Sequence, residues 1–156
     1  MRIADILRGK GSTVATVTAT TTVTGLLAEL AVHNIGAMVV IGSPGGHGRS
    51  DSGSDGGIVG IVSERDVVRH LQEHGPGLLR RPVTDIMSEV AVTCAPDDPV
   101  DDLAALMTNN RVRHVPVLDG GRLAGIVSIG DVVKIRMEEL QAERQALQAY
   151  ITQGAS

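Results

Sequence analysis

Apolar positions along the chain fall into two alternating rhythms. Val23, Leu26, Leu27 and Leu30 keep the 3, 4, 7 spacing of a helix with one buried face, and Val100, Leu103, Ala104 and Met107 repeat it. After each comes a pair of short β-branched runs: Met38 to Ile41 with Ile58 to Val62, and Val115 to Leu118 with Leu123 to Val127. Unbroken runs of this kind predict strands covered on both faces. Further strands are predicted over Ala15 to Thr18 and Ala91 to Cys94, with short helical lead-ins at Ile3-Ala4-Asp5-Ile6-Leu7 and Val83-Thr84-Asp85-Ile86-Met87. Past Asp131 a long helix is predicted, ended by Gly154, with Val133, Met137, Leu140, Leu147 and Ile151 in a 4, 3 stripe broken by Arg144. That stripe needs a partner, either the other half of the chain or a second chain.

The same order of elements occurs twice. Gly60-Ile61-Val62-Ser63-Glu64-Arg65-Asp66-Val67-Val68 returns, 65 residues on, as Gly125-Ile126-Val127-Ser128-Ile129-Gly130-Asp131-Val132-Val133. Ala37 to Ile41 matches His114 to Leu118 at an offset of 77, so the first copy has an insertion of 12 residues within the Gly-, Ser- and Asp-rich tract Gly42 to Gly57. The tract reads as a flexible surface loop. The expected fold is α/β (α+β), with two β-α-β-β-α repeats: residues 1–75 with the loop insertion at 42–57, residues 76–136, and a helical extension at 137–156. A unit of about 65 residues is marginal alone, so the copies are expected to pack sheet to sheet about a pseudo-two-fold axis.

Composition narrows the function. With 42% hydrophobic and 21% charged residues, the 156-residue chain is of ordinary globular type. Tyr150 is its one aromatic residue and the net charge is −4, which argues against both base-stacking and phosphate-backbone modes of nucleic-acid binding. Cys94 stands alone, which excludes an intrachain disulfide and a cysteine zinc cluster and fits a reducing compartment. No apolar run reaches a membrane span or a signal peptide's apolar stretch, so a soluble, cytoplasmic protein without membrane or nucleic-acid partners is expected.

The repeated chemistry is Ser-x-x-Asp where a strand becomes a helix: Ser63 with Asp66, and Ser128 with Asp131. Taken singly, each is a capping box, which stabilises a helix start without any ligand. A helix N-terminus also offers free N–H groups to an anion, and a carboxylate accepts two vicinal hydroxyls well. One enzyme reading exists, because His70-Leu71-Gln72-Glu73-His74 matches the H-x-x-E-H pattern of a zinc hydrolase. It sits at a helix end before Gly75-Pro76-Gly77, where exposed His and Glu need no function. The Gly-rich tract lacks the Gly-Lys-Ser or Gly-Lys-Thr of a phosphate-binding loop, and His47, Arg49 and His33 read as surface residues.

The duplicated order, the Gly-Ile-Val-Ser-x-x-Asp-Val-Val junctions and Arg111-Val112-Arg113-His114-Val115-Pro116-Val117 together resemble a tandem pair of cystathionine-β-synthase (CBS) domains, over almost the whole chain. The resemblance implies a non-catalytic regulatory sensor, a stand-alone pair that commonly forms a homodimer and acts on an effector protein in trans. Its implied ligand is an adenine nucleotide (AMP, ADP, ATP or NAD) or S-adenosylmethionine, with no catalytic cofactor and no metal. By the same resemblance Asp66 and Asp131 bind ribose, and Ser63, Ser128, Arg113, His114 and Arg65 serve phosphate. Ala15, Ile35, Gly36, Ala37, Val92 and Val112 form the adenine pocket, with Ala15, Ile35 and Gly36 assigned to the Asp131 site and Val92 and Val112 to the Asp66 site. Gly36 and Ala37 stand where the second copy has Arg113 and His114, which implies two unequal sites. The alternative is an interaction scaffold with degenerate clefts.

Overall fold

The computed structural model describes residues 1–11, 14–42 and 57–154. Most of the 42–57 tract, with His47 and Arg49, lies outside the described residues, although its ends meet through the Gly42 N–H donating to the Gly57 carbonyl at 3.0 Å. In chain order the described elements are α1 (Ile3–Lys10), β1 (Thr16–Thr18), α2 (Val23–His33), β2 (Ala37–Ile41), β3 (Ile58–Ser63), α3 (Glu64–His74), α4 (Val100–Asn110), β4 (His114–Asp119), β5 (Arg122–Ser128) and α5 (Ile129–Gly154). Two 3-10 turns, Gly75–Arg80 and Val83–Asp85, follow α3. The chain divides into two compact units: Thr13–Thr93, and Met1–Ser12 together with Cys94–Ser156. The first lead-in helix thus belongs with the second copy's sheet.

In the continuous unit, β2 lies between β1, which runs parallel to it, and β3, which runs antiparallel. The first four residues of β2 are buried, as its apolar run predicts. On β3, by contrast, Gly60 and Val62 are buried while Val59 is exposed, so this outer strand is covered on one face, not both. The 3, 4 spacing of α2 buries Val23, Leu26 and Leu30 against Met38, Val40 and Val62, and Thr22 caps the helix by accepting from the Gly25 N–H. Leu27, expected in the core, is 37% exposed. The second lead-in closes the sheet edge, where Ile61 and Ser88 exchange N–H to carbonyl bonds of 2.9 Å. Only glycine permits that approach, because a Cβ on Gly60 would lie 2.7 Å from the Met87 sulfur and 2.8 Å from the Ser88 carbonyl oxygen.

The discontinuous unit repeats this plan with different solutions. Its β4–β5 hairpin turns at Gly120 and Gly121, both at positive φ (58° and 83°). On β4, Val115 to Val117 are buried, while β5 again alternates at Gly125 and Val127. The strand predicted over Ala91 to Cys94 is absent, and a single parallel bridge joins Cys94 to Val117. Cys94 donates to the Pro116 carbonyl and accepts from the Leu118 N–H. The next bond back along this parallel ladder would need an N–H on residue 116, and proline has none. Val39 holds the matching place in the other unit, where β1 forms. α1 is tied in by Ile3 donating to the Asp98 carbonyl at 3.0 Å and Ala4 to the Pro96 carbonyl at 2.8 Å. Leu7 fills the space over Gly125, where a Cβ would lie 2.6 Å from its Cδ2.

α5 is 26 residues long and buries Val132 near its start, with Gly154 its last described residue. The stripe Val133, Met137, Leu140, Leu147 and Ile151 is exposed at every position, by 50%, 56%, 64%, 59% and 68%. Among the described residues no helix is long and apolar enough to cross a membrane.

Candidate functional site

Each repeat ends its hairpin in the same construction. In the continuous unit, Ser63 leaves β3 in an extended conformation and caps α3, its Oγ accepting from the Asp66 N–H at 3.4 Å. Asp66 answers with Oδ2, which accepts from the Ser63 N–H at 2.8 Å and the Ser63 hydroxyl at 3.1 Å. These cap bonds fall on one carboxylate oxygen, so capping does not use Oδ1. The structural role read from the sequence is real, and it is compatible with a second one.

Beside this helix start lies an open cleft of about 360 Å³ lined by Leu27, Leu30, Ala31, Asn34, Ile35, Gly36 and Glu64. Its mouth explains the exposure of Leu27, which helical spacing alone assigns to the core. Asn34 turns the chain out of α2 in the left-handed conformation (φ 51°), and the Gly36 carbonyl accepts from the Glu64 N–H at 3.0 Å. Of the expected adenine-pocket residues, Ile35 and Gly36 therefore border a cleft. Ala37 is buried and pairs with Ser63 across the hairpin, and Ala15 packs on this unit's core. Val92 is half-buried in the same unit, and Arg65 is exposed on the first turn of α3.

In the discontinuous unit, Ser128 Oγ accepts from the Asp131 N–H at 3.2 Å, and Asp131 Oδ2 accepts from the Ser128 N–H at 2.9 Å. His114 is half-buried and pairs with Ser128 across the hairpin, while the carbonyl of exposed Arg113 accepts from the Ile129 N–H at 2.8 Å. The basic pair thus stands beside the second Ser-x-x-Asp. Val112 is half-buried at the end of α4, donating to the Met107 carbonyl at 3.1 Å.

One residue here was invisible to the sequence reading. Lys10, on the last turn of α1, places Nζ 2.7 Å from Asp131 Oδ2 and 2.8 Å from the Ile126 carbonyl oxygen. Burial raises the Asp131 pKa, but the Lys10 ammonium and the Ser128 N–H outweigh it and hold the carboxyl below its ordinary range. The two lead-ins do match, and the signal was there in principle. Finding it required pairing the first lead-in with the second copy.

The zinc reading of His70, Glu73 and His74 gains no support. His70 Nδ1 is 2.8 Å from the Asp66 carbonyl oxygen of its own helix, the two imidazoles stack with centroids 6.2 Å apart, and Glu73 is 71% exposed. Among the described residues no group of three or more His, Cys, Asp or Glu could hold a metal ion. Cys94 is buried, and burial, with Asp98 nearby, pushes its thiol up to about 11, so it stays protonated.

Comparison with known proteins gives this geometry its context. The CBS domain model matches residues 4–73 and 83–138. The CBS domain-containing protein CBSX3, mitochondrial, of Arabidopsis thaliana is 34% identical over 97% of this chain and 72% of its own length. Among solved structures, a CBS-domain containing protein of Agrobacterium tumefaciens is similar with a TM-score of 0.75 at 38% identity, covering 86% of this chain and 92% of that one. A CBS domain protein of Pyrobaculum aerophilum complexed with AMP is similar with a TM-score of 0.68 at 28% identity, covering 84% and 89%. Two matched regions, each holding one capped Ser-x-x-Asp junction, make this chain a member of the CBS-domain family with the domain in tandem.

Proposed function

We propose that the chain is a non-catalytic regulatory module that binds an adenine nucleotide and acts in trans on a partner protein. The observation that carries this reading is the repeated capped aspartate, whose cap bonds leave one carboxylate oxygen for a sugar hydroxyl. The AMP held by the Pyrobaculum aerophilum protein supports adenine as the base, and the cleft bordered by Ile35 and Gly36 supplies aliphatic walls for it. In this reading Asp66 and Asp131 accept ribose hydroxyls, and Ser63, Ser128, Arg113, His114 and Arg65 face phosphate. Ala15, Ile35, Gly36, Ala37, Val92 and Val112 surround the base. The lone thiol suits a reducing compartment such as the cytoplasm.

A thermal-shift panel of AMP, ADP, ATP, NAD and S-adenosylmethionine tests it. A ligand at one hundred times its Kd adds about 2.7 kcal/mol, which raises the melting midpoint of a chain this size by about 5 °C or more. Asp66→Asn is expected to weaken the responding ligand by roughly one to three decades, because a charged hydrogen-bond acceptor becomes neutral. A flat panel, or a response untouched by Asp66→Asn and Asp131→Asn, refutes the reading.

We also propose that two copies associate through α5. Set antiparallel with Val133 opposite Ile151, its apolar stripe also pairs Met137 with Leu147, and Leu140 falls opposite Arg144, where the stripe is broken.

A further inference from the structure

The two capped aspartates are alike in their own repeats and unlike in what approaches them. Asp131 Oδ2 is shared between the Ser128 N–H and the Lys10 ammonium, and Lys10 is anchored a second time on the Ile126 carbonyl. Asp66 Oδ2 receives the Ser63 N–H and hydroxyl, and no ion pair to it is found among the described residues. Aligning the lead-ins at Leu7 and Met87 puts Val90, an apolar residue, at the place of Lys10. Among the described residues, one carboxylate therefore has donors but no cation at its helix start, and the other is ion-paired with a lysine from a neighbouring helix.

We infer that Lys10 is a specificity-determining residue that competes with a sugar hydroxyl for Asp131 and thereby confines tight nucleoside binding to the Asp66 site. This rests on the proposed adenine-nucleotide function and adds to it the number and ranking of sites. The physical reason is direct. A hydroxyl approaching a carboxylate gains most when that carboxylate has no cation already on it, because hydrogen bonds to an ionised acceptor are the strong ones. Lys10 sits on Oδ2, so it leaves Oδ1 open, but its charge weakens what that oxygen can give an incoming hydroxyl. Its two anchors are 2.7 and 2.8 Å long, and its side chain is 36% exposed, so it is held but not sealed in.

Titration calorimetry with AMP and with adenosine on the full chain, wild type against Lys10→Met, decides the matter. Adenosine carries no phosphate, so it reports the contest for the ribose acceptor without any attraction between Lys10 and an anion. The wild type is expected to show one tight site per chain for either probe. Lys10→Met is expected to reveal a second, with adenosine affinity there raised roughly tenfold to a hundredfold. Asp66→Asn removes the wild-type tight site, and adding Lys10→Met to that variant restores one. Lys10→Gln, which keeps a donor but not the charge, is expected to fall between. An unliganded melting midpoint for Lys10→Met confirms that the variant is folded. Two equal sites in the wild type, or weaker adenosine binding in Lys10→Met, overturns the inference while leaving the nucleotide function standing. If neither probe binds wild type or any variant, the functional reading itself has failed.

Discussion

Asp131 shows how one side chain holds two duties at once. It completes a helix cap and accepts a lysine from another helix, and its carboxyl is held below the ordinary carboxylate range as a result. A depressed folded-state pKa stabilises the fold at any pH above the unfolded value of about 3.9, and the contribution is lost as pH falls through the lowered value. Asp131→Asn is therefore expected to lower the urea midpoint at pH 7. The gap from wild type is expected to close as pH falls below about 4. A gap that stays constant from pH 7 to pH 3 would show that the charge of Asp131 contributes nothing. At this scale the sequence was a good guide to Ser63, Asp66, Ser128 and Asp131, because a capping box is a local motif. It was silent on Lys10, whose partner lies in a distant part of the chain.

Elements were legible to the extent that they obey their own rhythm. Val23 and Val100 begin helices as the spacing predicts, since both lie on a 3, 4 face that is buried. The failures come from neighbours. Pro116 withholds an N–H from the segment before Cys94, and β3 is covered on one face only, which leaves Val59 exposed although its sequence run is continuous. The paired glycines Gly60 and Gly125 are a repeated device whose cost of substitution differs. Gly60→Ala drives a Cβ toward the Ser88 backbone oxygen, which cannot move without breaking the bridge to Ile61, whereas Gly125→Ala meets only the end of the Leu7 side chain. Gly60→Ala is expected to destabilise by about 1–3 kcal/mol and Gly125→Ala by less. Chemical denaturation of the two variants checks the order, and a larger loss at Gly125 would contradict the packing described.

Over the whole molecule, the long terminal helix is the feature that the fold of one chain leaves unexplained. Leu140 and Leu147 are 64% and 59% exposed, so replacing them by lysine removes no core contact within the chain. The double variant Leu140→Lys with Leu147→Lys is expected to shift sedimentation equilibrium from twice the chain mass to once, with far-UV circular dichroism of the sheets retained. A wild type that sediments as a monomer across the micromolar range would rule out association through this stripe.

The placement of α1 has a consequence for how such a chain comes into being. The core cluster of the continuous unit runs from Val17 to Ile86, so all its members are synthesised before β4 and β5. The first ten residues are placed otherwise. Their seat over Gly125 and their anchor at Ile126 exist only after β5 is synthesised, and until then α1 has neither. A lesion in α1 is accordingly felt at Gly125 and Ile126 of β5, far along the sequence.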